Sequence, residues 1–438
     1  MRSLRGAATG EVVTARLANG LRVVVEELPF ARSVAIGCVV NAGSRYETRE
    51  LSGVSHLIEH VLFRGSSTMP SALDIAVAVE CLGGMIDAYT DADHAVCHIR
   101  AHPDGLGEAA GILADLLIRP ALRPADLEPE REVVIGEICD SAENPAEEAQ
   151  RLVELSMWGD HPLGWGIAGT KESVRALTPE QLVQYWETHY TAANCVVTVA
   201  GAVPATEAFD AIQDAFADMP PGRVVPPPSA ARCRPGPDLA VAGPVGDRAA
   251  FAIGLPGVAY DDLGRWAMHC FNAILGGSMS SRLFQEIRGR LGLAYQIGSR
   301  SVEHYGTGMW LVTGSLAGPE LPGGLSAVGA VLRRARDDGF DAAEVERVAR
   351  HGSRGLQLLL EDTWAVAERN GVHVARDGTP EAVEDVLTGL ALVEAAAVHR
   401  IARQVIDARY CHLAVVGVEP ADGLLDILVS AMAGGPPQ

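Results

Sequence analysis

The chain has 438 residues, of which 48% are hydrophobic, and its 56 Asp and Glu against 35 Lys and Arg give a formal net charge of −21. The length suffices for two or three domains that each bury a core. The acidic balance argues against nucleic acid or an anionic membrane as a partner, because both bind basic surfaces.

The first half of the chain predicts strands and helices in mixed order. Strands are predicted at 21–27, 33–40, 85–89, 94–101 and 195–201, and helices at 53–65, 72–82, 106–118 and 124–142. Long helices among strands that follow one another directly indicate an α+β fold, with helices packed on a mainly antiparallel sheet.

The helix predicted at 53–65 contains the sequence H-x-x-E-H, from His56 to His60. Two histidines at this spacing lie on one face of a helix, with Glu59 beside them. Their neutral imidazoles can bind one Zn²⁺ and leave positions for a third protein ligand and a water molecule, whose proton a nearby carboxylate can take. The motif predicts a zinc site with its own base; the alternative is a surface helix that carries these residues by chance.

Two glutamates of the helix predicted at 124–142, Glu130 and Glu137, are two helical turns apart and face the same way, whereas Val133 and Val134 are expected to face the core. Glu137 could be the third ligand and Glu130 could support the site. From composition alone a solvated acidic face is the favoured reading, because exposed glutamates are common on helices.

The segment 218–238 is dense in Pro and Gly and predicts a stiff interdomain linker. The pattern around Tyr190 recurs around Tyr410, a shift of 220 residues, and a second similarity has a shift of 212. These offsets predict two tandem homologous domains, 1–217 and 239–438.

The second domain is not expected to bind metal. At the shift of 212, the positions of His56, Glu59 and His60 are occupied by residues without metal-binding side chains, Met268, Phe271 and Asn272.

The chain resembles the pitrilysin-like inverzincins, zinc peptidases with an H-x-x-E-H motif, and within them the bacterial branch similar to mitochondrial processing peptidase. The family places a liganding glutamate at the separation found here, with 76 residues between His60 and Glu137. The resemblance implies one Zn²⁺ per chain bound by His56, His60 and Glu137, with Glu59 as general base and Glu130 as a supporting carboxylate.

Residues 280–295 are similar to the segment that supplies an arginine and a tyrosine in active family members, here Arg288 and Tyr295. A guanidinium and a phenol are suited to stabilising the oxyanion that develops at a tetrahedral carbon. Without the resemblance, a surface charge and a half-buried ring would be the favoured interpretation.

The family often has an Asn-Ala pair after a Gly-Gly turn, and the pair contacts substrate backbone. This chain has Asp87 and Ala88 there. Asp87 keeps the hydrogen-bond acceptor and loses the donor. If Asp87 lies near the zinc, its charge is expected to favour basic residues close to the scissile bond.

The resemblance implies a zinc metalloendopeptidase that hydrolyses peptides or unfolded segments enclosed between the two domains of a clamshell, with Glu59 activating a zinc-bound water. Two alternatives stay open: a noncatalytic partner or assembly subunit of a peptidase complex, and a protease dedicated to leader peptides. A homodimer or a heterodimer with a related chain is compatible with the family's organisation.

The remaining patterns concern location and packing. Eight cysteines without a C-x-x-C pair, mostly in apolar runs, indicate buried thiols in a reducing compartment. The chain lacks a signal-peptide core and an apolar run of about 18 residues, so the cytoplasm is the expected location and no membrane partner is expected. His94, His98 and His102 are expected to serve packing or surface roles.

Overall fold

The computed structural model describes residues 2–5, 10–243, 246–419 and 423–434. Strands and helices are mixed along these residues. The strands are β1 (Arg2–Arg5), β2 (Glu11–Arg16), β3 (Arg22–Glu27), β4 (Val34–Val40), β5 (Met85–Thr90), β6 (Ala95–Ala101), β7 (Cys195–Gly201), β8 (Asp238–Ala242), β9 (Arg248–Pro256), β10 (Ala294–His304), β11 (Thr307–Ala317) and β12 (His412–Val416). The helices are α1 (Val54–Leu62), α2 (Ala72–Cys81), α3 (Leu106–Ile118), α4 (Pro124–Glu143), α5 (Pro145–Trp158), α6 (Lys171–Ala176), α7 (Pro179–His189), α8 (Ala205–Phe216), α9 (Arg265–Leu275), α10 (Leu321–Asp338), α11 (Ala342–Leu359), α12 (Thr363–Asp377), α13 (Val383–Ala391), α14 (Ala395–Val405) and α15 (Leu424–Ala433).

The first sheet has the order β1-β2-β3-β7-β4-β6-β5, and each pair of neighbours except β3 and β7 is antiparallel. Every residue of β4 is buried, since α3 packs on it from one side and α12 from the other. Burial on both faces explains why β4 is continuously apolar instead of alternating. The predicted α+β class with mainly antiparallel sheets is confirmed.

The second sheet repeats the connections of the first. Its order is β8-β12-β9-β11-β10, and only the pair β8 and β12 is parallel. In the first sheet, the equivalent order is β3-β7-β4-β6-β5. In each of these five-strand arrangements, the strand that comes first in the chain lies parallel to the strand that comes last. Of the other three strands, the second and third form an antiparallel pair, and the third also pairs with the first. The shared topology supports the internal repeat inferred from the sequence.

The described residues form two compact units, each built from three separate stretches of chain. The first unit comprises 1–136, 167–228 and 354–387, and the second comprises 137–166, 229–353 and 388–438. Each half of the chain thus gives one segment to the other unit. The predicted contiguous division at 218–238 did not include this exchange, because a sequence repeat does not show which sheet a helix packs against.

The exchanged segments carry helices α5 and α12, which occupy equivalent places in the two halves. Helix α12 packs on β3, β4 and β7, and α5 packs on β8, β9 and β12. A glycine in each sheet permits the close approach: a Cβ at Gly37 would lie 2.5 Å from Trp364 Cζ3, and one at Gly254 would lie 2.5 Å from Val153 Cγ1. Gly37 lies on β4 and Gly254 on the equivalent strand, β9. In both sheets, a glycine thus leaves room for the helix that packs on it.

Most predicted elements agree with the structure to within one or two residues, but two burial predictions were wrong in part. Val134 faces the core, whereas Val133 is exposed, because the buried stripe of α4 runs through Leu127, Glu130 and Val134. Cys81 is exposed, unlike the buried thiols of Cys38, Cys97, Cys195, Cys270 and Cys411. None of the described helices has both the length and the apolarity needed to cross a membrane.

Candidate metal centre

Helix α1 carries the H-x-x-E-H motif and is held firmly at its start. Gly53 precedes it with a φ of 92°, a conformation that favours glycine. The backbone N–H groups of Gly53 and Ser55 donate to the two carboxylate oxygens of Glu47, at 2.7 and 2.9 Å. Glu47 therefore accepts from amides that the first turn of a helix leaves without intrahelical partners. No motif in the sequence indicated this anchor.

The structure brings His56, His60 and Glu137 together. One potential ligand atom from each lies within 4.8 Å of the others, and among the described residues this is the group of three that could hold a metal ion. Two imidazoles and a carboxylate are the ligand set of one type of catalytic zinc site, which keeps a further position open. Glu137 lies on α4, so the three ligands come from two helices.

Burial and the neighbouring imidazole of His60 lower the pKa of His56 to about 4. His56 is therefore neutral at pH 7. Because a metal binds the unprotonated imidazole, it does not have to displace a proton from this ring. The donor set and the neutral imidazole of His56 fit a zinc ion.

Glu130 contacts His60, and its role as a supporting carboxylate stays a prediction. Its Oε2 lies 3.2 Å from His60 Nδ1, and its Oε1 lies 3.1 Å from Arg64 Nε. A carboxylate that accepts from one ring nitrogen orients the imidazole and leaves the other nitrogen for a metal. Arg64 was missed, although its position one helical turn after His60 was a usable signal.

Glu59 is held from the neighbouring sheet. The hydroxyl of Thr90 donates to Glu59 Oε2 at 2.6 Å. Thr90 ends β5, an edge strand of the first sheet, and α1 packs against this strand. No local sequence pattern indicates this contact, because it depends on which strand lies beside the motif helix.

Asp87 and Ala88 also lie on β5, but Asp87 does not share the face of Thr90. Side chains alternate along a strand. Tyr89 donates to Glu368 of α12, and His98, opposite Asp87 in the sheet, stacks on Trp364 of α12 at 3.7 Å. Asp87 thus projects from the face toward α12, and Thr90 from the face toward α1. The expected effect of Asp87 on selectivity requires Asp87 to lie near the zinc, and this arrangement does not support that position. The Trp364 contact gives His98 the expected packing role.

Arg288 and Tyr295 lie together in the second unit. The Arg288 guanidinium is 4.8 Å from the centre of the Tyr295 ring and donates to the Tyr295 carbonyl at 3.1 Å. Both side chains are exposed, Tyr295 by 71%. Arg288 lies in a π-helical segment, Phe284–Arg290, a type of irregularity that often marks functional sites. Their role in stabilising an oxyanion stays a prediction.

The second unit uses the position equivalent to His60 for packing. Asn272 Oδ1 on α9 accepts from Trp310 Nε1 at 2.9 Å and from the Ser299 hydroxyl at 2.7 Å. Met268 and Phe271 are buried. A polar anchor thus replaces the ligand.

Comparison with known proteins identifies two matching family models. Residues 22–171 match the model described as insulinase, peptidase family M16, and residues 176–351 match the model described as peptidase M16 inactive domain. An uncharacterized zinc protease of Streptomyces coelicolor is 31% identical over 414 residues, which cover 93% of this chain and 90% of the relative.

Solved structures share the fold at lower identity. A crystal structure of a peptidase M16 inactive domain from Pseudomonas fluorescens has a TM-score of 0.87 at 19% identity and covers 94% of this chain and 98% of that chain. A chain of complex III2 from Candida albicans has a TM-score of 0.80 at 17% identity, with coverage of 95% and 99%. At these identities the likeness concerns the fold alone.

Proposed function

The chain belongs to peptidase family M16, and on that premise we propose that it is a zinc-dependent endopeptidase with one Zn²⁺ held by His56, His60 and Glu137. The observation that carries the proposal is the convergence of these ligand atoms within 4.8 Å. Relatives named zinc proteases support a peptidase that uses zinc. The endopeptidase activity and the single ion are the parts that we infer.

The chemistry follows from the groups around the ligands. When bound, zinc polarises the scissile carbonyl and makes water more acidic. Glu59 takes the proton of the attacking water and delivers it to the leaving amine, as general base and then general acid. Glu130 fixes the His60 ring through Nδ1. Arg288 and Tyr295 are proposed to donate to the developing oxyanion.

The substrate is proposed to be a peptide or an unfolded segment bound in extended form. Strand β5 is at the edge of its sheet, and Thr90 on this strand contacts Glu59. An extended peptide that pairs with such an edge gains backbone hydrogen bonds without strict sequence choice. A folded protein does not offer a free backbone for this pairing.

The deciding experiment is Glu59→Gln, with Glu132→Gln on the exposed side of α4 as the matched control. We expect the Glu59 variant to retain one zinc per chain by metal analysis and to lose cleavage of an unstructured peptide by at least about 100-fold. The control should match the wild type in both measurements. Full activity of the Glu59 variant would refute the mechanism, and wild-type protein that binds no zinc would refute the metal site.

A second candidate is a noncatalytic subunit of a peptidase assembly. The match of residues 176–351 to a model described as an inactive domain favours it. Purified protein that binds zinc and cleaves peptides without an added partner would exclude this reading. Protein that cleaves only after a related chain is added would support a heterodimer.

A further inference from the structure

Thr90 is placed to control the orientation of Glu59. The hydroxyl of Thr90 donates to Glu59 Oε2 at 2.6 Å, a short bond to a carboxylate. Thr90 has a β-branched side chain, which holds few χ1 rotamers. One oxygen of Glu59 is thereby fixed.

The backbone that carries Thr90 is itself fixed by the turn that follows. Asp91 Oδ1 accepts from the backbone N–H groups of Asp93 and His94, at 2.7 and 2.5 Å. Arg45 is fully buried and forms an ion pair with Asp93 at 3.1 Å. The Thr90 hydroxyl is thus presented from a rigid element, which is what a precise functional contact requires.

The opposite face of β5 is held as well. The adjacent residue, Tyr89, is fixed by its hydrogen bond of 2.6 Å to Glu368 on α12. The strand end therefore has partners on both faces. It has little freedom to twist away from α1.

We propose that Thr90 is a positioning residue that sets the carboxylate of Glu59 in the orientation needed to accept the proton of water. This inference rests on the proposed function. Thr90 acts through Glu59 and is not itself assigned a contact with the reacting atoms. Its loss should lower the rate of the chemical step and leave substrate affinity largely unchanged.

The test compares Thr90→Val, which removes the hydroxyl at nearly constant shape, with Thr90→Ser, which keeps it. Thr14→Val on β2 of the same sheet is the control. Thr90→Val should retain one zinc per chain, keep KM within about 2-fold and lower kcat by about 10- to 100-fold, the range for a hydrogen bond to a charged group. Thr90→Ser should recover kcat to within about 3-fold of the wild type.

Two kinetic results would overturn the inference. A Thr90→Val enzyme with wild-type kcat would show that the hydroxyl is dispensable. A Thr90→Ser enzyme as slow as Thr90→Val would show that a hydroxyl at this position does not sustain the rate.

A structural measurement separates this inference from the proposed function. Crystal structures of wild type and Thr90→Val should show the Glu59 carboxylate in different orientations. An unchanged carboxylate would refute the positioning role, whatever the activity. In contrast, an inactive wild type or an active Glu59→Gln would refute the peptidase mechanism while the crystallographic comparison still decides the role of Thr90.

Discussion

Substitution Gly254→Ala tests the exchanged helix α5 directly. The new Cβ would lie 2.5 Å from Val153 Cγ1 and 3.5 Å from Met157 Sδ, and both side chains are fully buried on α5. Overpacking of this kind costs about 1–3 kcal/mol. Part of this cost is offset, because alanine within a strand raises the free energy of unfolding by about 0.5–1 kcal/mol relative to glycine. We expect a net loss of about 1–2 kcal/mol in the free energy of unfolding.

A double-mutant cycle shows whether the loss arises from this contact. Val153→Ala alone removes two buried methyl groups and should cost about 2 kcal/mol, including the void that remains. In the double variant the new methyl occupies the space that Val153 leaves. The double variant should therefore be about 1–2 kcal/mol more stable than the sum of the single effects predicts.

The assay is urea unfolding at constant pH, followed by far-UV circular dichroism and tryptophan fluorescence. Two probes are needed because two compact units do not have to unfold in one transition. Gly323→Ala on α10 is the control, since a Cβ there meets no atom within 4 Å. Additivity within about 0.5 kcal/mol, or a Gly254→Ala variant as stable as the wild type, would refute the packing of α5 against β9.

Two further predictions concern pH and selectivity. Burial raises the pKa of Glu47 to about 8 from 4.5, so the folded protein holds a proton that the unfolded chain releases. The free energy of unfolding of the wild type, relative to that of Glu47→Gln, should therefore fall by at least about 1 kcal/mol as the pH rises from 5 to 8. Urea midpoints that shift equally with pH in the two proteins would contradict this. Asp87→Asn should leave the preference between matched Lys and Glu peptides unchanged within about 2-fold, because Asp87 is exposed on the face toward α12. A larger change in the ratio of kcat/KM values would place its charge near the substrate.

The parts of the site that were predictable from the sequence are those that local spacing determines. His56, Glu59 and His60 share one helix, so a spacing of four residues sufficed to group them. Glu137 required more, since a helical face alone does not distinguish a ligand from a solvated carboxylate. The family resemblance supplied that choice, and the structure brings the three potential ligands together.

Contacts between distant elements were not predictable in the same way. The hydrogen bond from Thr90 to Glu59 depends on β5 lying beside α1. The orientation of Asp87 depends on which face of β5 is covered by α1. The alternation of side chains along a strand leaves both faces possible. For the same reason, the repeat predicted two equivalent halves but not the exchange of α5 and α12 between units.

This exchange has a consequence for how the protein is synthesised. The face of β4 and β7 that α12 covers includes apolar side chains such as Val39 and Val196, which cluster with Val374 of α12. Translation must pass residue 377 before this cover is available to a sheet whose last strand ends at Gly201. A nascent first half therefore leaves the ribosome with an uncovered apolar surface, of the kind that chaperones shield from aggregation. A stop codon in the segment 218–238 would release the first sheet without α12, and the resulting fragment should aggregate.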